Sequence, residues 1–93
     1  MISTLYRVIW SKSAERDLKK LAGSLALDIV NKVECYLAQS PHDLGKPLTG
    51  LLKGFYRYKY PGDYRTIYEI LESRKTVIAR AVGHRSHVYK IRK

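Results

Sequence analysis

Two short stretches concentrate the side chains that could do chemistry on a phosphate. Lys59 and Arg65 flank the turn Pro61-Gly62-Asp63, and Gly83-His84-Arg85-Ser86-His87-Val88-Tyr89 brings two imidazoles, a guanidinium, hydroxyls and an aromatic ring into seven residues. Imidazole exchanges protons near neutral pH. Guanidinium matches phosphate oxygens with two donors at once, and a tyrosine ring can stack on an unpaired base. Each residue also has an ordinary reading: a surface histidine, or a Tyr89 that closes the edge of a core. Other chemistry is poorly supported. The acidic residues are few and scattered, which argues against a two-metal carboxylate site. A lone cysteine, Cys35, excludes an internal disulfide and a multi-cysteine zinc site, and it reads as a small packing residue in a helix. No Walker-type glycine loop occurs. The reading therefore calls for no metal and no cofactor.

The charge balance points the same way. The chain has 93 residues and a formal charge of +10. Residues 1–45 carry six basic and five acidic groups, a net of +1, whereas residues 46–93 carry twelve and three, a net of +9. Such asymmetry suits a polyanionic partner, most simply nucleic acid. The basic half does not read as an amphipathic helix, so no membrane partner is expected. The N-terminal stretch lacks the layout of a secretory signal, and a reducing, cytoplasmic setting is the expectation. At this length one domain over residues 1–93 is the default.

Positioning these residues requires elements that the pattern supplies. Residues 5–10 are rich in β-branched and aromatic types and read as a strand. Ser11 or Ser13 can cap a following helix, in which Ala14, Leu18 and Leu21 form one stripe. After Gly23, Ser24 can open a second helix with Leu25, Ile29, Val33, Tyr36 and Leu37 on one face, stopped by Pro41. The charged positions Glu15, Arg16, Lys19, Lys20, Asp28, Lys32 and Glu34 read as a solvated face. Residues 41–54 read as a loop, with room for a short strand or turn near Leu51. Strands follow at 55–60, 64–71 and 76–82, separated by turns at 61–63 and 73–74. The order is β-α-α-β-β-β, an α+β domain with a helical hairpin on one face of a small antiparallel meander.

Alternation sorts the side chains by face. The turns pair Tyr60 with Tyr64, Lys59 with Arg65, Arg57 with Ile67, Leu71 with Thr76 and Ile67 with Arg80. Tyr56, Tyr58, Tyr60, Tyr64, Thr66, Tyr68, Ile70, Val77, Ala79 and Ala81 then face the helices. Arg57, Lys59, Arg65 and Arg80 gather on the open face with Ile67, Glu69, Leu71, Ile78 and Val82. Lys59 opposite Arg65 is informative, because like charges across a strand pair cost ~0.2–1 kcal/mol. A phosphate between them reverses the sign.

The stretches Phe55-Tyr-Arg-Tyr-Lys-Tyr, Gly62-Asp-Tyr-Arg-Thr-Ile-Tyr68 and Val82-Gly-His-Arg-Ser-His-Val-Tyr89, with Lys46-Pro-Leu-Thr-Gly-Leu before them, resemble the RelE branch of the RelE/ParE toxin superfamily over nearly the whole chain. The resemblance implies a RelE-like fold and a type II toxin that cuts mRNA in the ribosomal A site, held inactive by an acidic RelB-like antitoxin. It implies that Arg57, Lys59, Arg65, Arg85 and Tyr89 surround the scissile phosphate, with His87 as a further catalytic candidate. Lys46, Lys53, Arg80, His84 and Lys90 are the candidates for holding the flanking RNA. An arginine stands at 57, where the best-known member has lysine. Lys59, His84 and His87 all remain open as proton carriers.

Three functions follow in order. The first is a metal-independent endoribonuclease acting through the RNA 2′-OH. The second is a ParE-like blocker of DNA gyrase, which shares the fold but needs no convergent cations. The third is a nucleic-acid-binding module that cuts nothing.

Overall fold

The computed structural model describes residues 5–90. Strand β1 spans Arg7–Trp10, followed by helices α1 (Lys12–Lys19) and α2 (Gly23–Cys35). After these come a 3-10 turn at Leu37–Gln39, a one-turn helix α3 (Pro41–Leu44) and a two-residue strand β2 (Lys46–Pro47). A second 3-10 turn at Gly50–Leu52 leads into β3 (Tyr56–Tyr60), β4 (Tyr64–Leu71) and β5 (Thr76–His84). The sheet runs β1-β5-β4-β3-β2. Its last four members pair antiparallel in sequence order, and β1 lies parallel to β5 at the far edge. The α+β class and the hairpin over one face are as read from the pattern. The strand expected over residues 5–10 is present as β1; its parallel pairing with β5 and the short strand β2 are additions.

Local chemistry explains the helix limits. The Ser11 hydroxyl accepts the Ala14 N–H at 3.0 Å, capping α1. Helix α2 begins at Gly23, one residue before Ser24, with no side-chain cap. It ends at Cys35 rather than running to Pro41. Pro41 does not stop a helix; it opens α3, where its missing N–H costs nothing. Ile29, Val33 and Leu37 are buried as expected. Tyr36 is 55% exposed because the chain leaves α-helical phase at this point, and Cys35, still in α2, faces solvent away from the Ile29–Val33 stripe. Residues 41–54 are not one loop, but α3, β2 and a turn.

The helix side carries the larger core: Ala14, Ile29, Val33, Leu37, Tyr68, Val77, Ala79 and Val82. Tyr6, Val8 and Trp10 of the β1 segment pack against it, and Trp10 Nε1 donates to Glu34 on α2 at 2.9 Å. The charged face of the helices is thus not purely solvated, and Asp28 also accepts the Tyr60 hydroxyl. The opposite face is not bare. Phe55, Ile67, Ala81 and Val88 form a second small core, bordered by Leu48, Leu52 and Tyr89.

The register of β3 on β4 is the one the turn predicts: Tyr60↔Tyr64, Lys59↔Arg65 and Arg57↔Ile67. Leu71↔Thr76 also holds, although the connection is a 3-10 turn over Glu72–Arg74 closed by Lys75 at φ 46. The pairing of Ile67 with Arg80 does not hold. A bulge leaves Arg80 as the extra residue, so Ile67 faces Ala81 and Tyr68 faces Ala79. Ala81 and Val82 therefore exchange the faces that uninterrupted alternation gives them.

Two polar clusters tie the irregular segment to the sheet. The Tyr68 hydroxyl donates to the Pro41 carbonyl at 2.6 Å inside the core. Gly45 makes room for it, since a Cβ there would lie 1.9 Å from the Tyr68 oxygen. Burial pushes the Tyr68 phenol well above its ordinary pKa. At the surface, the Glu72 carboxylate accepts from Lys75 Nζ, from His42 Nε2 at 2.7 Å and from the Tyr6 hydroxyl at 2.8 Å. Those three donors, Lys75 foremost, hold its carboxyl at about 2.

Tyr68→Phe leaves the Pro41 carbonyl without its buried donor and should cost about 1–3 kcal/mol in urea denaturation. Glu72 adds a pH dependence. Its folded pKa lies below the ordinary 4.5, so its contribution is complete above that value and is lost as pH falls toward 2. Glu72→Gln should flatten the stability profile in that window and leave its shape unchanged between about pH 7 and pH 9, below the range in which Lys75, whose pKa its bond to Glu72 raises, loses its proton.

Candidate active site

The cationic site is assembled by the β3–β4 hairpin. Asp63 and Gly62 adopt left-handed backbone, φ 65 and 85, which the Gly-Asp sequence tolerates and which brings the two strands back in tight register. Arg57 and Lys59 then project on the same side as Arg65 and Ile67. A shallow depression of about 390 Å³ opens at this end of the hairpin, lined by Lys59, Tyr60, Pro61, Gly62, Asp63 and Arg65.

The arginines of this face are poorly satisfied. Arg65 is only 8% exposed, and its one hydrogen bond runs from Nη1 to the Tyr64 carbonyl at 3.1 Å. The Nε atoms of Arg57 and Arg65 are both buried without a partner. Among the described residues no carboxylate forms an ion pair with Arg57, Lys59 or Arg65; the ion pairs fall elsewhere. A buried, uncompensated guanidinium costs several kcal/mol in effective desolvation, and a rung of like charge adds to it. Stability alone gives no reason for this arrangement; an anion supplied from outside does.

The other sequence candidates divide between the two faces. Arg85 follows β5 and is fixed by its backbone N–H, which donates to the Asp63 carbonyl at 2.8 Å. Its Nε lies 3.8 Å from the Asp63 carboxylate. Tyr89 is half-buried against the second core, on the cationic face. Lys46 stands exposed on β2 opposite Arg57, and Lys53 lies exposed after the Gly50–Leu52 turn. Arg80 is held by Glu69 at 2.9 Å, so it already has a counter-charge.

His84 and His87 point elsewhere. Their Nδ1 atoms both meet the Ser86 hydroxyl at 2.9 Å. The Ser86 N–H also donates to His84 Nδ1, which places the His84 proton on Nε2. The two rings line a crevice with Asp17, Lys20 and Tyr64 on the helix-bearing side, and Lys90 borders its continuation beside Ser13 and His87. Among the described residues, no three His, Cys, Asp or Glu side chains group as metal ligands, and no helix is long and apolar enough to cross a membrane.

Sequence reasoning did not single out Asp63, Ser86 or Asp17. Asp63 had a signal in its place after glycine in a tight turn, and Ser86 in its place between histidines. Asp17 had none, because its partner is the Val82 N–H, 65 positions away, at 2.9 Å.

Residues 8–89 match the family model for the ParE toxin of type II toxin–antitoxin systems, parDE. The chain is 35% identical over 86 residues to Toxin RelE of Mycobacterium tuberculosis, covering 92% of this chain and 88% of that protein. It is 33% identical over 85 residues to Toxin RelG of the same organism, covering 91% and 97%. Among solved structures, a chain of the M. tuberculosis RelBE2 toxin–antitoxin complex superimposes with a TM-score of 0.83 at 32% identity, covering 91% and 97%. A mutant of Escherichia coli toxin RelE in the free state superimposes at 0.78 with 21% identity, covering 95% and 94%, a likeness of fold. RelE of E. coli is also known in the intact RelBE complex and with a peptide of the antitoxin.

Arg65→Met removes an uncompensated buried charge and keeps most of the volume. It should leave folding intact and raise the urea midpoint, by about 1 kcal/mol in stability. Inorganic phosphate should raise the melting temperature of the wild type more than that of Arg65→Met. An equal rise in both would show that no anion binds at Arg65.

Proposed function

We propose that this chain, which belongs to the RelE/ParE superfamily of toxins from type II toxin–antitoxin systems, is a metal-independent endoribonuclease that cuts mRNA displayed in the ribosomal A site. The observation that carries this reading is the pair of buried arginine Nε donors at Arg57 and Arg65, left without partners beside Lys59. A protein that only blocks another by surface contact gains nothing from them.

In this mechanism the 2′-oxygen attacks the adjacent phosphorus. The new bond is O2′–P and the bond lost is P–O5′, so the products are a 2′,3′-cyclic phosphate and a 5′-hydroxyl. The 2′-OH proton leaves as the bond forms, and the departing 5′-oxygen takes one up. Arg57, Arg65 and Arg85 stabilise the charge that accumulates on the non-bridging oxygens. None of the three can exchange protons near neutral pH, so that task falls to Lys59 on the face, with Tyr89 stacking on a nucleotide. Lys46, Lys53 and Lys90 extend the positive field along the RNA. Arg80 joins them only by exchanging Glu69 for phosphate. The partner proposed for the resting state is an acidic, RelB-like antitoxin that screens the charge of the second half of the chain.

The test is induction of the protein in cells, with primer extension on abundant mRNAs and plasmid supercoiling measured in parallel. Cuts within reading frames with unchanged supercoiling are expected. Intact mRNA with relaxed plasmid would instead mark a gyrase blocker. In single-turnover assays at saturating protein, Arg85→Ala should slow cleavage about 10²–10³-fold. Its RNA binding should weaken modestly, with the single-strand salt slope flattened by about 0.7. Equal rates for the two proteins would remove Arg85 from the chemistry.

A further inference from the structure

The crevice beside the histidines has no role in the mechanism above. Its volume is about 370 Å³, and it is lined by Asp17, Lys20, Leu21, Tyr64, Val82, Gly83, His84 and His87. It opens on the helix side of the sheet, because Tyr64 and Val82 pack with the larger core. Yet it is one residue away from the phosphate site at two points. Tyr64 precedes Arg65 and His84 precedes Arg85, and consecutive strand residues point to opposite faces. The ends of β4 and β5 thus present cations on one side and rings on the other, with Tyr64 directly paired to His84.

The lining has a specific chemical character. Tyr64 and His84 meet edge to face, 5.9 Å between ring centres, and His84 and His87 lie 6.1 Å apart. Ser86 fixes both imidazoles, so they form a preset wall. Lys20 is exposed at the rim. Asp17 is held in place by the Val82 N–H on its Oδ2, and its Oδ1 has no partner among the described residues. A pocket for phosphate alone would not carry a carboxylate in its wall, and a purely apolar pocket would carry neither Asp17 nor Lys20. Aromatic faces, one cation and one oriented acceptor suit a nucleobase with its flanking phosphate.

We infer that this crevice is a specificity subsite for the nucleotide next to the scissile phosphate. The base stacks on the Tyr64–His84–His87 wall. Asp17 Oδ1 accepts a hydrogen bond from an exocyclic amino group, and Lys20 takes the neighbouring phosphate. Adenine, guanine and cytosine carry such a group and uracil does not, so uracil is disfavoured at this position. The inference rests on the ribonuclease reading for its place in the reaction, and on the crevice itself for binding.

Asp17→Asn tests it, because the amide oxygen can still accept the Val82 N–H while the second acceptor becomes a donor. Circular dichroism and urea unfolding first establish that the variant folds as the wild type does. Cuts are then mapped by primer extension in a translating extract on messages that vary each nucleotide flanking the cut. The wild type should avoid uracil on one side of the cut. Asp17→Asn should lose that discrimination by about tenfold, whereas Lys20→Ala should slow all sites without changing base preference. An unchanged base distribution for Asp17→Asn would overturn the subsite. A second arm uses fluorescence anisotropy of the purified proteins with labelled eight-nucleotide RNAs, oligo-A against oligo-U. If the wild type cuts nothing, the ribonuclease reading falls, and this arm alone decides the crevice. Preference for oligo-A that Asp17→Asn abolishes upholds it, and equal preference in both proteins removes it.

Discussion

One extra residue in β5 decides which side chains of this molecule meet. The bulge at Arg80 shifts alternation by one position halfway along the strand. Before it, Val77 and Ala79 face the helices. After it, Val82 does, and Ala81 turns to the second core beside Ile67 and Val88. Without the shift, Val82 would enter the small core and Ala81 would leave a gap against α1, where cavities are costly. The shift also places Arg80 where Glu69 can hold it and sets the phase of Gly83, His84 and Arg85. The aromatic crevice depends on it through His84, and so does the side on which Arg85 leaves the strand, whereas Arg57, Lys59 and Arg65 are set by the β3–β4 hairpin.

The cationic face illustrates a conflict between folding and function that is common where binding sites are preformed. Covering one side of the sheet with α1 and α2 stabilises the chain, while the other side keeps the Arg57 and Arg65 guanidinium groups in a half-dry setting with no carboxylate partner among the described residues. The second core beneath them raises the stakes, because apolar neighbours strengthen every charge interaction nearby. A site prepared in this way has little to rearrange when an anion arrives.

Much of this was legible in the residues. Strand pairing from Tyr56 to Tyr68 followed from a three-residue turn, and with it the Lys59–Arg65 rung, because local turn chemistry sets hairpin register. The Ser11 cap and the buried Ile29–Val33–Leu37 stripe were equally local. What escaped was non-local or broke a period. A bulge has no glycine to announce it here, so plain alternation puts Ala81 and Val82 on the wrong faces. Residues 41–54 looked like a loop because α3 and β2 are too short for periodicity to register. Tyr36 reads as buried only if the helix is carried past its true end, and Cys35, though in α2, lies about 200° round from Val33 and so off the buried face. Proximity in sequence groups the histidines with the arginines, whereas strand alternation divides neighbours between faces.

The order of the strands has a further consequence for how the chain is made. Strand β5 is the last of the described strands to be synthesised, and it lies between β1 and β4. Until residues 76–84 exist, β1 has no partner at all and β4 has one bare edge, while the hairpin of β3 and β4 can form at once. The long-range pairing of β1 with β5 must close a loop of more than sixty residues, an entropic cost paid late. A growing chain therefore holds an unfinished sheet with exposed strand edges, the state most open to degradation or to capture by another polypeptide. The arginine cluster and Arg85 come together only once this last strand is in place.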